Sequence, residues 1–82
     1  MQSEWMSLNQ SGSFSNIEVH RLQGVRVRAL SVLGVKPGME GVITEARRIQ
    51  SDWLLLITWK DGNSDWLNKH EVTHQVLLNV DS

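Results

Sequence analysis

Trp53-Leu54-Leu55-Leu56-Ile57-Thr58-Trp59-Lys60-Asp61-Gly62-Asn63-Ser64-Asp65-Trp66 is the stretch on which the fold turns. Its first seven residues are β-branched, aromatic or aliphatic, and they end at Asp61-Gly62. That dipeptide favours a two-residue hairpin turn, because Gly accepts positive φ and Asp tolerates it. Pairing about such a turn sets Lys60 opposite Asn63, Trp59 opposite Ser64 and Ile57 opposite Trp66. Trp53, Leu55, Ile57 and Trp59 share one face of the strand, and Leu54, Leu56 and Thr58 share the other. A strand with one wet face alternates apolar and polar residues, but this one is apolar on both. One row fills a core. The other is either covered by the chain's own ends or receives a partner.

Upstream, Gly41 opens a strand over 42–49, preceded by a loop at 31–38 punctuated by Gly34, Pro37 and Gly38. Before that loop, Val25, Val27 and Ala29 alternate with Arg26, Arg28 and Leu30, a half-buried strand with a basic outer face. Weaker alternation over 17–22 allows an opening strand. Downstream, Asn68 to Glu71 form a short polar turn ahead of a closing strand or short helix at 72–80. Residues 1–16 are rich in Ser, Asn, Gln and Gly and are expected to be a flexible arm, with Trp5 and Phe14 able to dock. The folded unit is set at 17–82. Five or six short strands in that span predict an all-β fold, a small barrel closed so as to remove sheet edges.

Composition narrows the function. The chain has 82 residues, enough for one small domain and not for separate cofactor and substrate domains. Eight Lys/Arg against nine Asp/Glu give a net charge of −1, which argues against a protein built mainly to neutralise duplex DNA. Cysteine is absent, so disulfides, thiolate zinc sites and thiol catalysis are excluded. The start of the chain lacks the basic and apolar regions of a secretory signal, and no stretch approaches the roughly 20 apolar residues of a membrane span. The expectation is a cytoplasmic protein with no membrane partner.

Val25-Arg26-Val27-Arg28, Lys36-Pro37-Gly38-Met39-Glu40-Gly41-Val42-Ile43, Ile57-Thr58-Trp59-Lys60-Asp61-Gly62, then Trp66-Leu67 and Glu71-Val72, resemble the motifs of small SH3-like barrels. Among these the chain is most similar to bacterial and phage members of the KOW/Tudor-like type, which run V-x-V, PGxxGxV and V-x-W-x-DG. The resemblance spans 25–72 and implies a binding module for peptides, RNA or larger assemblies rather than an enzyme. The loop at 31–35 is longer and more hydrophobic than in KOW motifs.

His70-Glu71-Val72-Thr73-His74 matches H-E-x-x-H, the helical zinc-hydrolase signature with two imidazole ligands and a glutamate base. The β-branched Val72 and Thr73 favour a strand instead, where the two histidines stand about 13 Å apart, too far for one metal. So short a chain also leaves little room for the rest of a zincin. No catalytic residue, metal or cofactor is therefore assigned, and the zinc hydrolase remains a remote alternative.

Two surfaces compete for a binding role. Trp53, Leu54, Leu56, Trp66 and Leu33 of the 31–35 loop form the first choice, an apolar, Trp-bearing surface for a protein or peptide partner or a second copy of the chain. Arg26, Arg28, Arg47 and Arg48 form the second, a basic stripe that with a nearby Trp would hold RNA or single-stranded DNA. The near-zero total hides an uneven distribution: 17–50 carries six basic residues against three acidic, and 51–82 two basic against five acidic. Arg47 and Arg48 point to opposite faces in a strand, which weakens the stripe.

Overall fold

The computed structural model describes residues 3–8 and 12–81, with backbone only at 3, 80 and 81. Eight elements follow in chain order: β1 (Ser3–Met6), α1 (Asn16–Leu22), β2 (Arg26–Ala29), β3 (Glu40–Ile49), β4 (Asp52–Trp59), β5 (Ser64–Leu67), α2 (Lys69–Gln75) and β6 (Val76–Asp81). The strands make one antiparallel sheet in the order β1-β6-β2-β3-β4-β5. The fold is mostly β, as expected. Closure is not: the sheet ends at β1 and β5, so it is open and keeps two edges.

The core lies on one face of this sheet. Val27 and Ala29 of β2, Ile43 of β3, Leu55, Ile57 and Trp59 of β4, Leu67 of β5, and Val76 and Leu78 of β6 are buried there. Phe14, Val19 of α1, Val32 and Val72 of α2 complete it. Gly41 is required by that packing, because a Cβ at this position would stand 2.8 Å from both the Thr58 carbonyl oxygen and the Trp59 ring.

Two local devices set which side chains face outward. The first is the loop between β4 and β5. The Gly62 amide donates to the Trp59 carbonyl (2.9 Å) and the Trp59 amide to the Asn63 carbonyl (2.7 Å), so Lys60, Asp61 and Gly62 form a three-residue loop. Asp61 accepts from the Asn63 amide at 3.0 Å, and Gly62 takes φ +94°, as in hairpin loops that end on a left-handed glycine. The expected two-residue turn is thus off by one. Thr58 pairs with Ser64, and Trp66 faces Leu56 rather than Ile57. A one-residue slip moves a strand's side chains to the other face, and here it turns Trp66 outward.

The second device is a β-bulge between Ile43 and Glu45. Ile43 pairs with Ile57, but Glu45 pairs with Leu56, and Thr44 is the extra residue. Its hydroxyl lies 3.0 Å from the Thr58 hydroxyl and donates to the Leu56 carbonyl at 3.4 Å. Without the bulge, Glu45 and Arg47 would point into the core. With it, Arg47 stands outward against Leu54, and Arg48 points to the core side against Trp53.

Three further expectations change. Residues 17–22 are helical rather than extended, because Ser15 and Glu18 form a capping box: Glu18 N donates to Ser15 Oγ at 3.2 Å and Ser15 N to Glu18 Oε1 at 3.1 Å. Val19 and Leu22, one turn apart, then face the sheet while Ile17 is 67% exposed. The segment expected to be a flexible arm contains β1, which pairs with β6, and the buried Phe14. Finally, the H-E-x-x-H segment lies on α2, not on a strand. Asn68 and Glu71 form a second capping box there, with Glu71 N donating to Asn68 Oδ1 at 2.8 Å and Asn68 N to Glu71 Oε1 at 2.9 Å. No described helix is long and apolar enough to cross a membrane.

Candidate functional site

The face of the sheet away from the core carries the candidate site. Leu54 and Leu56 of β4 are half-buried, and Trp66, directly across from Leu56, is 37% exposed. Glu45 and Arg47 border this row on β3, and the Arg47 guanidinium sits 5.2 Å from the centre of the Trp66 ring. That contact holds the indole in place by cation–π attraction while leaving part of it open. Leu54, Leu56 and Trp66 form a short apolar strip with one charge of each sign beside it.

Among the described residues, neither chain end covers this strip. β1 lies at the opposite edge of the sheet, four strands away from β4. α2 contributes Val72 to the core and so packs on the other face. Of the two explanations for a doubly apolar strand, covering by the chain's own ends does not apply among the described residues.

The other two members of the expected apolar surface stand apart. Trp53 points to the core side, where its indole Nε1 donates to Asn16 Oδ1 at 3.2 Å. Leu33 is 97% exposed, but it sits in the β2–β3 loop, whose Val32 is buried and Val35 half-buried. The spacing of Trp53 along the strand already put it with Leu55 rather than Leu54. Nothing in sequence separated Leu33 from its apolar neighbours.

The basic set divides in the same way. Arg26 and Arg28 of β2 share the outward face with Arg47, whereas Arg48 does not. Arg28 lies 4.3 Å from the centre of the Trp5 ring and 3.5 Å from a Glu40 carboxylate oxygen, and Arg26 donates to Asn79 Oδ1 at 3.3 Å. Trp5 had drawn notice only as a docking residue. Its register opposite Asn79 of β6, the strand next to β2, brings it against Arg28. Two arginine-on-tryptophan contacts therefore stand near opposite edges of one face.

His70 and His74 lie on one side of α2 with ring centroids 4.5 Å apart, both exposed. The 13 Å separation expected for a strand is thus corrected to helical proximity. Glu71 is committed to the capping box, and no group of three or more His, Cys, Asp or Glu that could hold a metal occurs among the described residues.

An ion pair fixes the helices that cover the core. Lys69 is 4% exposed, and its ammonium donates to both Glu18 oxygens, at 3.0 and 3.1 Å, while standing 5.6 Å from the Phe14 ring centre. Burial pushes the Glu18 carboxyl upward, but the Ser15 amide, the Lys69 ammonium and the Ser15 hydroxyl together outweigh it, and the group lies below its ordinary 4.5.

Set against known proteins, the chain matches no family model, no curated protein and no solved structure.

Proposed function

We propose that the protein is a non-enzymatic binding module of SH3-like architecture, whose outward sheet face takes an apolar protein surface, in the first instance a second copy of this chain. The strand order supports the architecture: β2 to β5 form a meander, and after the short α2 the chain returns as β6 to pair with β2. The observation that carries the function is the strip Leu54–Leu56–Trp66, apolar yet on the side away from the core. Trp is among the residue types enriched at contact hot spots, and here it stands partly exposed. Glu45 and Arg47 favour a second copy, since a two-fold axis through the strip sets the glutamate of one chain against the arginine of the other. A dilution series followed by two-dimensional NMR tests this. Amides of Leu54 and Leu56 and the Trp66 indole N–H are expected to shift with concentration, and those of Trp59 and Val27 to stay. Shifts confined to residues off this face, or none at all, contradict it.

A second reading rests on Arg26, Arg28 and Arg47 sharing that face with Trp5 and Trp66. Arginine beside aromatic rings is the chemistry that holds single-stranded RNA or DNA. It ranks second because Glu40 partly neutralises Arg28, and the Arg28 and Arg47 guanidinium groups already lie over the indoles. Binding of a mixed-sequence oligonucleotide that weakens steeply with salt favours it over the first; no binding at low salt removes it.

A further inference from the structure

A concavity lies on the other side of the molecule, between α1 and the ends of β3 and β4. It is a cleft of about 500 Å³ lined by Asn16, Val19, His20, Gln23, Ala46, Arg48 and Trp53. Val19, Ala46 and the Trp53 indole give it an apolar wall. The remaining four residues give it donors, and no carboxylate lines it. Asn16 spends its side-chain oxygen on the Trp53 N–H, so its amide nitrogen is left to donate. Arg48 has no ion pair or hydrogen bond from its guanidinium among the described residues, and neither does the His20 ring. An open hollow of about 360 Å³, lined by Asn16, Ile17, His20 and Arg21, adjoins the cleft and shares two of its residues.

The bulge at Thr44 is what brings Arg48 here. By setting Arg47 outward it turns Arg48 to the core side, across from Trp53. A fixed indole, a guanidinium without a partner and an imidazole at one cleft favour a ligand that is flat and apolar at one end and anionic at the other. Guanidinium groups pair with carboxylate and phosphate oxygens in two-pronged fashion, and indole faces stack on rings. We infer that this cleft binds a small aromatic anion, a ring carrying a carboxylate or a phosphate, independently of the outward sheet face.

The test is titration of the ¹⁵N-labelled full chain with indole-3-acetate and adenosine 5′-monophosphate, set against their uncharged counterparts tryptophol and adenosine. At least one anion is expected to shift the Trp53 indole N–H and the Ala46 amide saturably, with Kd on the order of 1 mM or tighter, as fits fragments of this size. Saturation by the carboxylate alone, or by the phosphate alone, assigns the source of the anion. Arg48→Gln should weaken that binding at least tenfold and Arg48→Lys less, with the remaining spectrum unchanged in both. Failure of both anions to saturate, equal binding of the uncharged counterparts, or full retention in Arg48→Gln overturns the inference. None of these outcomes bears on the dilution behaviour of Trp66.

Discussion

The two faces of β4 are built from nearly the same residues and end in different surroundings. Leu55, Ile57 and Trp59 are buried in one core cluster with Phe14, Val19 of α1 and Val72 of α2, whereas Leu54 and Leu56 stay half-buried and the facing Trp66 exposed, with no described helix on their side. The first row is closed by the chain itself. The second has the composition of a core without the cover. Hydrophobicity alone does not separate the two, because both rows alternate correctly for a strand. What separates them is where the capped helices dock, and that is fixed by the Glu18–Lys69 pair and by Val19 and Val72.

The largest effect belongs to the buried row. Trp59→Ala removes the largest fully buried side chain, whose Nε1 also donates to Asp65 at 2.7 Å. The expected loss is about 3–5 kcal/mol, read from urea midpoints. That is a large share of a small domain's total of roughly 5–15 kcal/mol, so the variant unfolds at modest denaturant. Gly41→Ala attacks the same row from the neighbouring strand. The added methyl meets backbone at Thr58 and the Trp59 ring, and a loss of about 1–3 kcal/mol is expected in the same measurement.

The cover over that row is next. Because the folded Glu18 lies below its ordinary 4.5, its pairing contributes stability fully above that value, and the contribution is lost as pH falls through the folded pKa. Urea midpoints of the wild type should therefore fall below about pH 4.5. Glu18→Gln should be less stable at pH 7, where it removes the carboxylate that accepts two hydrogen bonds from the buried Lys69 ammonium, and should show a flatter acid limb. An unchanged acid limb in the variant would show that other carboxylates govern it.

The smallest effect on stability belongs to the open row. Trp66→Ser should cost about 1 kcal/mol or less, since the ring is partly exposed and its chief described partner is Arg47. A loss comparable with that of Trp59→Ala would erase the contrast between the faces.

Much of the sheet was legible in the sequence because two-residue alternation and glycine punctuation are local signals. The strands around 25–29, 42–49 and 53–59 stand close to where the pattern put them. The register of β5 was not, because an Asp-Gly pair serves both two- and three-residue loops, and the Asp61 bond to the Asn63 amide selects the longer one. The bulge at Thr44 had no sequence signal, since a β-branched residue fits an ordinary strand equally well. The helices left a signal that alternation outweighed. Ser15-x-x-Glu18 and Asn68-x-x-Glu71 are both capping boxes, and attention to them locates both helix starts. At the candidate site, Leu54, Leu56 and Trp66 belong together, while Trp53 and Arg48 fall on the other face because parity along a strand, corrected for the bulge, separates them. The cleft by α1 had no local signature, because its residues come from two stretches far apart in sequence, the α1 region and the β3–β4 hairpin.

Sedimentation equilibrium tests the central claim, that the open row is a contact surface, most directly. The wild type, Trp66→Ser and Leu33→Ser should be compared across concentrations up to about 200 μM, a range that detects weak association. The expected result is a concentration-dependent dimer for the wild type, retained when the loop residue Leu33 is changed and abolished when Trp66 is changed. A wild type that stays monomeric throughout, or a dimer indifferent to Trp66, contradicts it.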